Sequence, residues 1–309
     1  MNSVPVFVGL DYHQDSIQLS VVDEAGRELS NRPCSNSWKA VVHRAERYGR
    51  VGRAAIESCS GAADLAEELV DRAGWSVELA HPGYVNRMKQ NPDKSDYSDA
   101  KMLADLTRVG YLPRVWLAPR AIRELRRLVR YRQELVEERR RIKQRVRALL
   151  REQRIKNEAG ARPWSLRWLV WLETEAKVSE HSRWITSRHL RRIRGCNDEI
   201  HDVETHLATI TREDPLVKTL RTHPGIGPVT AWMLRAEVGR FDRFRNGKQL
   251  SRFCGLSPRN ASSGNRQADA GLIRAGNNRL RSILIEAAHR LIHSRSTHLG
   301  YPGRRETLG

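Results

Sequence analysis

The chain has 309 residues, enough for two domains with sizeable cores, and its 55 Lys plus Arg outnumber 36 Asp plus Glu. A net charge of +19 points to a polyanionic partner held through phosphate contacts, with binding that weakens as salt rises. A membrane role is disfavoured, because no apolar run approaches the roughly 20 residues a bilayer span needs and no secretory-type leader opens the chain.

The first region, residues 1–119, alternates strand and helix signals. Val4 to Asp11 and Ser16 to Val22 are short β-rich runs joined by the polar turn Tyr12-His13-Gln14-Asp15. A third strand is expected around Arg27 to Pro33, a helix over Ser37 to Arg47, and a strand over Val51 to Glu57. Ala62 to Ala73 carries Leu65, Ala66, Leu69 and Val70 at helical spacing and is closed by Gly74. Ser76 to Ala80 reads as another strand, followed by a His81-Pro82-Gly83 turn. A hairpin followed by strand, helix and strand predicts a mixed α/β sheet.

Four acids stand out on this framework. Asp11 ends the run Val6-Phe7-Val8-Gly9-Leu10-Asp11, and Glu57 ends Arg53-Ala54-Ala55-Ile56-Glu57. Ligand sites of open α/β sheets gather at strand ends, so these two are expected to be neighbours. Asp96 and Asp99, in Lys94-Ser95-Asp96-Tyr97-Ser98-Asp99-Ala100-Lys101, open a predicted helix and share one of its faces. Carboxylates without Cys or His nearby suit a hard cation, Mg²⁺ with Mn²⁺ as a substitute. Two such ions can hold the attacking and leaving oxygens of a phosphodiester. Asp15, Asp93 and Asp105 read as turn or solvated helix residues, and His13, His81 and His223 as structural or exposed. Cys34, Cys59, Cys196 and Cys254 lack the spacing of a zinc or redox site and read as reduced thiols of a cytoplasmic protein.

Residues 120–212 form a basic helical region. Leu128, Leu135, Ile142 and Leu149 recur every heptad, with Val129, Val136 and Leu150 beside them, a candidate coiled-coil seam. The seam can pack within one chain or between two, and its narrowness favours pairing between chains. Arg139, Arg140, Arg141 and Arg145 crowd the outer positions and are candidate nucleic-acid contacts; a salt-bridged solvated face is the plainer reading. A second helix, about Ser179 to Thr211, is expected to fold back on the first. Between them Trp164, Trp168 and Trp171 read as a short helix or a docking surface.

Residues 213–309 are mostly helical. His223-Pro224-Gly225-Ile226-Gly227-Pro228 joins two predicted helices and resembles a helix-hairpin-helix turn. There Gly225 and Gly227 would let backbone N–H groups approach a DNA phosphate; a ligand-free helix connection explains the same residues. Downstream, Gly255-Leu256-Ser257-Pro258 leads to Ser262-Ser263-Gly264 in a polar loop. Arg259, Arg266 and Arg274 surround that loop in sequence and could bind a phosphate under attack by a serine oxygen. Alone, such a loop is most often just a turn.

Taken in order, these motifs resemble one family, the insertion sequence 110 transposases. The matching residues are Gly9-Leu10-Asp11, Ile56-Glu57-Ser58 and Ser95-Asp96-Tyr97-Ser98-Asp99-Ala100, then His223 to Gly227, Gly255 to Pro258, Ser262 to Gly264 and Gly271 to Asn277. The resemblance implies a RuvC-like, ribonuclease-H-type domain over 1–119, a basic helical and coiled-coil region over 120–212, and a serine transposase domain over 213–309. It implies Mg²⁺ on Asp11, Glu57, Asp96 and Asp99, and a serine attacking DNA to give a phosphoserine link that is later reversed. Ser263 is the favoured nucleophile over Ser262, since it directly precedes Gly264. The implied partners are donor and target double-stranded DNA, a structured bridge RNA bound by the Arg-rich helices, and further copies of the chain in a dimer or tetramer. The implied setting is the cytoplasm, at the nucleoid. One departure from the pattern is Tyr12-His13-Gln14, where the family has a small residue and a lysine.

Three rival readings stand beside it. An actin-like kinase or ATPase needs a glycine-rich turn after the first Asp, which Tyr12-His13-Gln14 lacks. A junction-resolving metal nuclease would use the acids and leave Ser263 idle. A non-catalytic nucleic-acid scaffold would leave both without a role.

Overall fold

Alternation in the first strand decides what each face of the sheet holds. The structure, a computed structural model, describes residues 4–88, 95–260, 269–272 and 276–293. It divides into two compact units, residues 1–120 and 121–309. In the first, β1 (Pro5–Tyr12), β2 (Ser16–Val22), β3 (Glu28–Ser35), β4 (Arg50–Glu57), β5 (Val77–Ala80) and β6 (Arg114–Val115) form one sheet in the order β3-β2-β1-β4-β5-β6. β1 runs antiparallel to β2 and parallel to β4; β5 is parallel to β4 and antiparallel to β6. This mixed sheet is consistent with the RuvC-like expectation.

Val6, Val8 and Leu10 point to one face and pack with Val41 of α1 (Trp38–Ala45) and Leu65 and Leu69 of α2 (Ala62–Ala73). Each fully buried leucine here contributes about 1.5–3 kcal/mol. The opposite face carries Ala55 and Ala80, covered by Val85 of α3 (Pro82–Met88) and Leu103 of α4 (Asp96–Arg108). Helix α4 lies close on β1 because position 9 has no side chain. A Cβ on Gly9 would sit 1.9 Å from the Ala100 carbonyl oxygen and 2.5 Å from the Ala104 nitrogen.

Two elements differ from the sequence reading. His81-Pro82-Gly83 does not merely turn. Pro82 opens α3, whose Tyr84 and Val85 amides bond the His81 carbonyl, and burial of Val85 holds it. β6, only Arg114–Val115, is too short to leave an alternating pattern and is fixed by its pairing with Leu79 and Ala80.

The second unit holds α5 (Arg120–Glu152), α6 (Leu166–Thr174), α7 (Glu180–Ile210), α8 (Pro215–Arg221), α9 (Pro228–Val238), α10 (Gly247–Phe253), the hairpin β7–β8 (Pro258–Asn260 and Asp269–Leu272) and α11 (Asn278–His293). The expected return helix is α7, antiparallel to α5. Arg132 bonds Glu204 at 2.7 Å, Arg139 bonds Asn197 at 2.7 Å, and Gln153 bonds Ser179 at 3.1 Å.

The leaning towards a seam between chains is corrected here. Leu125, Val129 and Leu135 are buried with Ile200, Val203 and Leu207, while Ile142, Val146 and Leu150 are buried with Leu190, Ile193 and Cys196. The narrow apolar stripe of α5 is thus covered within the same chain, by α7 together with α6 and α9. Trp168 and Trp171 of α6 are buried in that second cluster, so they form a short helix and part of a core. Helix α9 is apolar on nearly every side, and it is the buried centre of the unit.

Candidate metal site and nucleic-acid surface

The sheet's parity places the first two acids. Phe7, Gly9 and Asp11 share the face of β1 under α4, and Ala55 and Glu57 share that face of β4. Gly9 pairs with Ala55 and Leu10 with Ile56, so Asp11 and Glu57 follow side by side at the ends of parallel strands. The other two arrive from the helix. Ser95 caps α4, its hydroxyl accepting from the Ser98 amide at 3.1 Å, which sets Asp96 and Asp99 in the first turn over β1.

Asp11, Asp96 and Asp99 are close enough to repel one another. Burial pushes the Asp11 carboxyl above its ordinary range, and the charges of Asp96 and Asp99 push the same way against the opposing pull of His13. Glu57 and Asp11 both act on the Cys59 thiol, which burial chiefly, and these charges, push up. Asp99 is only 5% exposed. Oδ2 of Asp11 is buried with no hydrogen-bond partner. A buried carboxylate oxygen that makes no well-formed hydrogen bond and is crowded by other carboxylates is costly unless a cation satisfies it. The donor set therefore fits a divalent ion.

His13, read from the sequence as structural or exposed, is exposed and stands beside the acids. Its Nε2 lies 3.4 Å from Asp11 Oδ2 and 3.2 Å from Asp96 Oδ2, between the strand end and the helix start. The only sequence signal was its position two residues beyond Asp11, on the same side of the chain.

In the second unit the predicted arginines divide. Arg139 is drawn to Asn197, and Arg140 pairs with Glu137 at 2.8 Å. Arg141 and Arg145 are exposed, one helical turn apart, and make no ion pair among the described residues. Arg259, on β7, is exposed. Gly225 has φ +84, and a Cβ there would meet the Ala287 carbonyl oxygen of α11 at 3.0 Å, so intrachain packing already demands a glycine. Gly227 caps α9 at its N-terminus, with open space beside its α-carbon.

Ser262, Ser263, Arg266 and Arg274 lie outside the described residues. Flanking them, Pro258 pairs with Leu272 and Asn260 with Asp269. The same unit holds a buried ionic cluster that the sequence did not disclose. Glu237 of α9 is 4% exposed and accepts two bonds from Arg130 of α5, at 2.8 and 3.0 Å. It accepts a third from Asn277 at 2.9 Å, while the Asn277 side-chain oxygen caps α11 through the Arg279 and Leu280 amides. Burial raises the Glu237 carboxyl, but Arg130, Arg126 and Asn277 together outweigh it and hold it below the ordinary range.

Comparison with known proteins finds transposases. A family model described as "Transposase IS116/IS110/IS902 family" matches residues 217–301, and a transposase model of the IS110 DEDD type matches residues 8–154. The chain is 27% identical over 298 residues to the transposase for insertion sequence element IS1111A of Coxiella burnetii, spanning 92% of this chain and 77% of that protein. It is 26% identical over 235 residues to the transposase for IS1328 of Yersinia enterocolitica, spanning 76% and 69%. To the transposase for IS1533 of Leptospira borgpetersenii it is 23% identical over 291 residues, spanning 92% and 84%.

Proposed function

The chain belongs to the IS116/IS110/IS902 transposase family, and on that premise we propose a metal-dependent, serine-using, RNA-guided recombinase of its insertion sequence. As a transposase it is a DNA-cleaving and strand-transferring enzyme. The observation that supports the reading is the clustering of Asp11, Asp96 and Asp99, with the buried Oδ2 of Asp11 facing His13 at 3.4 Å and Glu57 on the neighbouring strand end.

Asp11, Glu57, Asp96 and Asp99 hold Mg²⁺, or Mn²⁺ in its place. A divalent ion there supplies positive charge to phosphate oxygens as negative charge builds on them. Ser263, or Ser262 in the second instance, attacks the DNA phosphorus through its hydroxyl oxygen. The serine proton is lost, the phosphoserine bond forms as the backbone P–O bond breaks, and the departing oxygen takes up a proton. Reversal with the exchanged strand's hydroxyl restores the serine and reseals the backbone.

Arg141 and Arg145, with Arg139 and Arg140 nearby, offer the phosphate contacts that a bridge RNA needs, and Arg259, Arg266 and Arg274 serve the DNA. Gly227 leaves room for a phosphate at the start of α9. The working divisions are 1–119 for the acidic domain, 120–212 for the basic helical region and 213–309 for the serine domain. The active form is a dimer or tetramer, working in the cytoplasm on nucleoid DNA. No described helix is long and apolar enough to cross a membrane.

The test is a denaturing gel of full-length protein incubated with element-end DNA and its RNA. A covalent protein–DNA band is expected from the native chain and from Ser262→Ala, and its loss from Ser263→Ala. A band that persists in both variants removes serine attack from the mechanism.

A further inference from the structure

The strongest unassigned feature is the imidazole set between two acids. His13 Nε2, Asp11 Oδ2 and Asp96 Oδ2 lie within 4.8 Å of one another, and the nitrogen is 3.4 and 3.2 Å from the two oxygens. A charge-assisted hydrogen bond draws N and O to about 2.7–2.9 Å, which neither contact reaches. Neighbouring donors around an octahedral ion with bonds of about 2.1 Å stand about 3.0 Å apart. Around a tetrahedral ion with bonds of about 2.0 Å they stand about 3.3 Å apart. The observed spacings suit donors sharing an ion as well as they suit a long hydrogen bond.

The chain holds the imidazole in place before any ion arrives. The His13 amide donates to the Ser16 carbonyl at 2.9 Å, closing the β1–β2 turn. Asn36 Nδ2 donates to the carbonyls of His13 and Gln14, at 2.9 and 3.0 Å. These bonds fix the backbone of the turn and with it the direction in which the His13 side chain leaves the chain. Its side chain is 43% exposed, so no packing demand explains the position.

We propose that His13 Nε2 is a direct ligand of the cation held by Asp11 and Asp96. One nitrogen among carboxylate oxygens shifts this position towards ions that accept imidazole readily, and away from Mg²⁺, which takes oxygen almost alone. Mn²⁺ then serves as the paramagnetic probe of the position. The inference rests on the acidic-site reading above and adds a ligand and an ion preference to it.

The test uses Mn²⁺ with the full-length chain, read by electron spin-echo envelope modulation, which detects a nitrogen bound to the ion, and by binding titration. Imidazole nitrogen coupling is expected in the native protein and absent in His13→Ala and His13→Gln. Mn²⁺ affinity should fall about tenfold in His13→Ala, with Mg²⁺ affinity changed less than about threefold. Circular dichroism of both variants checks that they fold. Bound Mn²⁺ without nitrogen coupling, or coupling that survives in both variants, overturns the ligand assignment and leaves the acidic site standing. No saturable Mn²⁺ binding in the native chain overturns both.

Discussion

Asp11 is a residue set against its own stability. Its carboxyl is pushed up by burial and by Asp96 and Asp99, so at neutral pH the ionised form is held at a cost. Asp11→Asn should therefore raise the melting temperature of metal-free protein by a few degrees, about 1 kcal/mol, while abolishing divalent-ion binding. Thermal unfolding in chelator checks this, and a lower melting temperature would count against the crowded-acid picture. Glu237 is the opposite case. Its lowered carboxyl contributes stability that is fully present above the ordinary glutamate value of 4.5 and is lost as pH falls through its folded value. Glu237→Gln should cost about 2–3 kcal/mol at pH 7 in denaturant melts, with the gap to the native chain closing in acid. An unchanged gap would remove the ion pair as its source. In sequence Asp11 was legible because it ends an apolar run. Glu237 was not, since Arg130 stands 107 positions away and a Glu in a helix ordinarily reads as surface.

At the scale of elements, the site depends on how closely α4 lies on β1. Gly9→Ala should drive α4 off the strand and cost about 3 kcal/mol, because the new methyl meets backbone atoms that cannot turn aside. It should also carry Asp96 and Asp99 away from Asp11. Divalent-ion titration of the folded variant reads that separation, and unchanged affinity would show that the helix position is not what gathers the acids. Most elements were legible: the strands β1 and β4, the extent of α2 and the helix opened by Asp96 and Asp99 follow from local sequence alone. The destination of the α5 stripe was not. Its heptads state that it must be covered, while the covering surface on α7 lies beyond a Trp-bearing connection whose path local sequence leaves open. The contact of His13 with Asp96 was hidden for a related reason, since only the fold of the turn brings its ring to the helix start.

For the whole molecule, a net charge of +19 makes nucleic-acid binding strongly salt-dependent, and the exposed Arg141 and Arg145 are expected to carry part of it. Replacing either with Ala should weaken nucleic-acid binding across sequences and flatten the slope of log K against log salt by about 1. Filter binding over a salt series checks this; a slope unchanged in both variants would move the nucleic-acid contact elsewhere. The central claim is that acids from two strands and one helix form a single cation site on which strand cleavage depends. Its most direct test is cleavage of element-end DNA by the native chain, Asp11→Asn and Glu57→Gln, across a Mg²⁺ and Mn²⁺ titration. The native chain should cleave only with a divalent ion, and both variants should stay folded and fail at every ion concentration. Cleavage in chelator, or by either variant at the native rate, would contradict it.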